Sequence, residues 1–108
     1  MTNSELQEKI HAYDLSLNEI LDQVVRICLA HHVEHVYLFG SYAVGTARPT
    51  SDIDIVIKGG EDIERLRDEI DRIPTLKRID LFLYDEIRNP YLLDDIHRYA
   101  IELPRKGN

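Results

Sequence analysis

Apolar residues recur along this chain in two rhythms. Leu17, Ile20, Leu21, Val24, Ile27 and Cys28 return at intervals of three and four, the spacing of one helix face. Ser16 ahead of them and Glu19 three residues later make a capping box. A helix is therefore expected from Ser16 to about His31 or His32. The run "HVYLFG" predicts a strand over His35–Phe39, broken by Gly40. Ser41–Ala47 reads as a turn or a short helix, which Pro49 keeps short. Asp52–Lys58 alternates acid with aliphatic and predicts a second strand, stopped by Gly59 and Gly60.

The helical rhythm returns over Glu61–Ile73, with Ile63, Leu66, Ile70 and Ile73 as a narrow apolar stripe. Glu61 with Arg65, and Asp68 with Arg72, stand at i,i+4, and these charges are read as a solvated face and nothing more. Pro74 closes that helix. Arg78–Tyr84 predicts a third strand, with Asp80, Phe82 and Tyr84 on one face and Ile79, Leu81 and Leu83 on the other. Asn89 and Pro90 read as N-cap and first residue of a last helix. It carries Leu92, Leu93, Ile96, Tyr99, Ala100 and Leu103 up to Pro104. Upstream, Ser4–Tyr13 is either a short helix, capped by Ser4 and Gln7 with Leu6, Ile10 and Tyr13 on one side, or a loose tail. The order helix, strand, strand, helix, strand, helix predicts an α/β or α+β domain with a small mixed sheet.

At 108 residues, one domain over 1–108 is expected, with 1–15 as an N-terminal extension. The net charge of -7 argues against a protein that tracks a nucleic-acid backbone, and leaves nucleotide binding open because a metal can screen phosphates locally. One cysteine, Cys28, rules out an internal disulfide, and its apolar neighbours predict a buried, inert thiol. No signal peptide is read at the N-terminus, and no apolar run approaches the roughly 20 residues that cross a bilayer. A cytoplasmic protein without membrane contact is expected.

The segment "LFGSYAVGTARPTSDIDIVIKGG" holds the chemistry. Its alternation puts Asp52 and Asp54 on one strand face and the isoleucines on the other. Carboxylates that close repel and are poorly solvated, so a cation or an arginine must compensate. A P-loop fails because Thr46 stands where its lysine should follow the second glycine. A nucleophilic Ser41 fails because "FGSYA" lacks the second glycine of a nucleophile elbow. The remaining reading takes Gly40, Ser41, Asp52, Asp54 and Asp80 together. Gly40 permits a tight turn, and the N–H groups after it, with the Ser41 hydroxyl, suit phosphate oxygens. Paired aspartates offer hard oxygen ligands for Mg²⁺, and Asp80 on another strand can complete a two-metal site.

Glycine-serine, ten residues, then aspartate-x-aspartate resembles the signature of the DNA polymerase β-like nucleotidyltransferases. Here it is "GS", "YAVGTARPTS", "DID", with a third acid in "RIDLF". Over roughly Leu17–Leu103 the chain resembles the minimal nucleotidyltransferase (MNT) domains, often antitoxin partners of HEPN-domain RNases. The resemblance implies a small mixed sheet with helices packed mainly on one face. It implies Asp52, Asp54 and Asp80 as the catalytic, metal-binding carboxylates, for two Mg²⁺ with Mn²⁺ able to substitute. Gly40 and Ser41 become triphosphate contacts, and Arg48 and Ser51 join them on the nucleotide side. Tyr42 and Val44 stand where many relatives carry basic residues, leaving Arg48 as the nearest cation.

The activity implied is transfer of AMP from ATP to a tyrosine hydroxyl of a HEPN toxin, in a hetero-oligomer and without direct nucleic-acid contact. The alternative is a non-catalytic antitoxin that binds and masks the toxin. His31, His32 and His35 are not expected to share a metal, since the first two fall at a helix end and His35 on a strand. Tyr84, Tyr91 and Tyr99 are expected in a core or an interface.

Overall fold

The computed structural model describes residues 14–105. The two readings of Ser4–Tyr13 therefore lie outside the described residues. Helix α1 (Leu17–Ala30) begins as its cap dictates: the Glu19 N–H donates to Ser16 Oγ at 3.2 Å, and the Ser16 hydroxyl donates to Glu19 Oε1 at 3.1 Å. Ile20, Val24 and Cys28 are completely buried on its inner face. Strand β1 (Val33–Phe39) starts two residues earlier than expected. His32 turns the chain at φ 60°, which lets Val33 pair with Gly59 before a bulge at Val33–His35.

A one-turn helix, α2 (Ser41–Val44), leads to β2 (Ile53–Gly59). Asp52 falls just outside that strand, because the ladder with the third strand opens at Ile53. Helix α3 (Ile63–Asp71) is shorter at both ends than its apolar stripe suggested. Gly60 and Asp62 both hold positive φ, so helical backbone cannot begin before Ile63. Of the charges spaced i,i+4, Glu61 bonds His32 at 3.1 Å, and Arg65 bonds Glu69 at 3.4 Å. Asp68 and Arg72 do pair, at 3.8 Å.

Strand β3 (Ile79–Leu83) gives way at Tyr84 to a 3₁₀ turn, Tyr84–Glu86. Asn89 then caps α4 (Pro90–Tyr99), its Oδ1 accepting from the Tyr91 and Leu92 N–H groups at 2.9 and 3.4 Å. The last helix was expected to run to Leu103. It stops at Tyr99, Ala100 is extended, and Ile101–Glu102 forms β4 against Leu38 and Tyr37 of β1. Leu103 is buried at the end of that strand, donating its N–H to Val36 O at 2.8 Å.

The sheet order is β3-β2-β1-β4. Strands β2 and β3 are parallel; β1 is antiparallel to both its neighbours. Ile53, Ile55 and Ile57 point to one face and join Ile20 and Val24 of α1 and Leu66 and Ile70 of α3 in a single aliphatic core. Each such buried side chain contributes about 2 kcal/mol. Val56 and Ile96 are buried outside that cluster, and the Tyr84 hydroxyl meets His97 Nε2 at 2.7 Å, so α4 lies against the second face. That second face also carries Asp54 and Asp80.

Candidate active site

Gly40 sits where β1 ends, at φ 71° and ψ -150°. A Cβ at this position would collide with Asp54 Oδ2. Glycine is thus required twice, by the left-handed backbone and by the close approach of a carboxylate. The chain closes α2 at once: Ala43 and Val44 donate N–H bonds to Gly40 O at 3.0 and 3.2 Å, and Thr46 to Ser41 O at 3.0 Å. Ser41 consequently stands at the head of a single helical turn, half-buried near the start of β2.

The acids follow from strand register. Phe39, Asp54 and Asp80 lie side by side across β1, β2 and β3, so the two carboxylates share one face on adjacent strands. Asp52 is two residues before Asp54 and exposed. Burial pushes the Asp54 carboxyl above its usual range, and the charges of Asp80 and Asp52 push it further. Asp80 has a partner that the sequence reading missed: its Oδ1 accepts from Arg78 Nε at 2.8 Å. The signal was present, because Arg78 precedes Asp80 by two residues on the same strand face.

The donor set fits a hard divalent cation. All three groups are carboxylates, and the anion of Asp54 is one that a cation would stabilise. Among the described residues, no three His, Cys, Asp or Glu side chains already stand in a closed cation cage; Asp80 is turned to Arg78.

Comparisons with known proteins identify the family of the domain that carries these residues. A family model described as a nucleotidyltransferase domain matches residues 17–103. The chain belongs to the nucleotidyltransferase domain family. It is 35% identical over 94 residues to MJ0435 of Methanocaldococcus jannaschii, a candidate protein adenylyltransferase, covering 82% of this chain and 99% of that protein. Among solved structures, a toxin–antitoxin crystal structure with AMP-PNP superimposes with a TM-score of 0.55 at 21% identity, over 81% of this chain and 72% of the other. A mutant MntA–HpeT toxin–antitoxin carrying two aspartate-to-glutamate changes gives 0.53 at 22% identity, over 82% and 72%. These two likenesses establish the minimal nucleotidyltransferase fold.

In this nucleotidyltransferase the flank of the candidate site is a closed loop. Arg48 and Ser51 bond mainly to each other: the Arg48 N–H donates to Ser51 Oγ at 2.8 Å, and the Ser51 N–H to Arg48 O at 2.9 Å. The Tyr42 hydroxyl reaches Arg48 O at 3.4 Å, and Lys77 Nζ reaches Pro49 O at 3.2 Å, so this loop is pinned from both sides. The Arg48 side chain is exposed. A recess of about 290 Å³ lies beside the loop, with Ser51, Asp52, Lys77 and Arg78 in its walls. A second, of about 660 Å³, runs along the outer edge of β3 past Arg78, Asp80 and Phe82.

The remaining candidates resolve into separate roles. His31 meets Glu69 at 3.2 Å and Glu61 O at 3.0 Å, His32 meets the Glu61 carboxylate, and His35 meets Glu102 at 2.8 Å. Each imidazole has its own glutamate. Burial pushes the Cys28 thiol up to about 12, so it is inert. No helix among the described residues is long and apolar enough to cross a membrane.

Proposed function

We propose that this nucleotidyltransferase is an antitoxin that transfers AMP from ATP to a tyrosine hydroxyl of a HEPN-domain RNase toxin and so disables it. The observation that carries the reading is the placement of Asp54 and Asp80 in register on adjacent strands, with Gly40 pressed against Asp54. The names of the relatives support it: one is a candidate protein adenylyltransferase, and the structural neighbours are toxin–antitoxin proteins, one with an ATP analogue. The enzyme works as a single domain, in the cytoplasm, within a hetero-oligomer with the toxin.

Asp52, Asp54 and Asp80 would hold two Mg²⁺ ions, or Mn²⁺ in their place, which when bound supply charge neutralisation at the attacking and leaving oxygens. The chain's own groups do the rest. Gly40 lets the Asp54 carboxylate approach the turn that follows β1, and the Ser41 hydroxyl at that turn donates to phosphate oxygens. Arg48 and Ser51 sit on the nucleotide side through the loop they close. Asp80 faces the incoming phenol and takes its proton; a phenol, with a pKa of about 10, ionises more readily than an aliphatic hydroxyl. The phenolate oxygen bonds to the α-phosphorus, the bond to the bridging oxygen breaks, and pyrophosphate leaves. Positioning and electrostatics supply most of the rate.

The test is the intact mass of the partner co-expressed with this protein. AMP increments on a tyrosine are expected with the wild type and none with Asp80→Asn, which should restore toxicity. An unmodified partner still neutralised by the Asp80→Asn protein would leave masking as the mechanism.

A further inference from the structure

We propose that Arg78 is a built-in stand-in for the divalent cation: it holds Asp80 while no cation is bound and releases that carboxylate when one arrives. The inference rests on the reading of Asp80 as a metal carboxylate. It begins from a difficulty in folding. Asp54 and Asp80 occupy the same register on neighbouring parallel strands, which lie only about 5 Å apart. Asp52, two residues before Asp54, brings a third carboxylate to this end of the strands. The chain has to fold through this arrangement with or without a cation, and something must offset the repulsion.

Arg78 is placed to do so. Two residues before Asp80, it projects from the same face, and Nε meets Asp80 Oδ1 at 2.8 Å. The nearby Lys77 is committed elsewhere, to Pro49 O. The contact is also built to release. Only Nε is engaged with the carboxylate, and the Arg78 side chain is 75% exposed against 28% for Asp80. An ion pair that open to solvent is weak. Arg78 lines the recess beside Asp52 and also the one along β3, so a freed guanidinium has room on either side of the carboxylate. The exchange keeps Asp80 compensated at every stage: by Arg78 first, by the cation afterwards.

The experiment is a Mg²⁺ titration of the full chain, labelled with ¹⁵N at arginine and ¹³C at aspartate carboxyls, followed by NMR. The Arg78 Nε–H resonance, assigned by its loss in Arg78→Gln, should begin displaced and slow to exchange. It should move to the position of a free arginine as the Asp80 carboxyl carbon shifts. Arg78→Gln should bind Mg²⁺ about two- to five-fold more tightly than the wild type, as expected for removal of a weak competitor. Loss of the positive charge would by itself tighten binding, so the response of the Arg78 Nε–H is what separates the exchange from a merely structural arginine. If the carboxyl carbons of Asp54 and Asp80 respond while Arg78 Nε–H does not, the exchange is wrong and the metal site stands. If no carboxyl carbon responds, the metal reading and the exchange fail together.

Discussion

Asp14 and Asp54 are the same residue in two environments, and the protein treats them in opposite ways. Burial raises the Asp14 carboxyl, but hydrogen bonds from the Leu76 N–H, the Thr75 hydroxyl and the Leu15 N–H outweigh it, with help from the Lys77 charge, and hold it below the usual range. It ties residue 14 to the Thr75–Leu76 turn through bonds of 3.3 and 3.2 Å. Asp54 receives no such compensation. Burial and its two acidic neighbours all push its carboxyl up. A satisfied carboxylate fastens the fold; a frustrated one marks where the fold expects something from outside.

The largest expected effect comes from removing the frustrated charge. Asp54→Asn should lower AMP transfer by on the order of a thousand-fold or more, since electrostatic stabilisation of the reacting phosphoryl group is lost. The same change should raise the melting temperature of the metal-free protein, because repulsion is relieved. A melt and a transfer assay on one preparation test both signs, and a less stable Asp54→Asn protein would break the contrast with Asp14.

Gly40→Val comes next. It forces a β-branched residue into positive φ and a Cβ into Asp54, which should cost about 1–3 kcal/mol from the backbone alone. Denaturant unfolding and binding of AMP-PNP should both suffer. Normal nucleotide binding by Gly40→Val would move the phosphate cradle elsewhere.

Asp14→Ala should cost about 0.5–1 kcal/mol by removing its bonds to Thr75 and Leu76 at a solvent-reachable turn, visible as a lower denaturation midpoint.

The smallest effect is on pH dependence, and the two acids act with opposite sign. The folded-state pKa of Asp14 is lowered, so its contribution is present above the ordinary aspartate range and lost as pH falls through the lowered value. That of Asp54 is raised, so its contribution is present below the ordinary range and lost as pH rises through the raised value. In metal-free protein, Asp14→Ala should remove part of the acid-side loss and Asp54→Asn part of the loss on the higher-pH side. Melting curves over the acidic range would show the two changes separately.

Much of this was legible in the sequence, for reasons that can be named. The cap of α1 at Ser16, the burial of Cys28 and the N-cap at Asn89 depend on local chemistry within a few residues. The alternation placed Asp54 and the isoleucines on opposite faces correctly, while Asp52 falls just before the strand. Strand β4 was hidden because two residues carry no period, and Leu103 fits a helical rhythm as well as an extended one. The ends of α3 were set by positive φ at Gly60 and Asp62, which apolar spacing does not encode. At the candidate site, the glycine-serine and aspartate pattern named residues that the structure brings together where β1 ends and β2 and β3 begin. The bond from Arg78 to Asp80 was not read, although "RID" places them on one face. The mutual bonding of Arg48 and Ser51 depends on a turn whose geometry the residues alone do not fix.

The most direct test follows phosphorus. This nucleotidyltransferase, its partner and Mg²⁺ would be incubated with ATP labelled at either the α- or the γ-phosphate. Label should pass to the partner protein only from the α position, with the γ label released in pyrophosphate, and both excess chelator and Asp54→Asn should abolish the transfer. Transfer of the γ label, or α-label transfer that survives chelator and the loss of Asp54, would contradict the account.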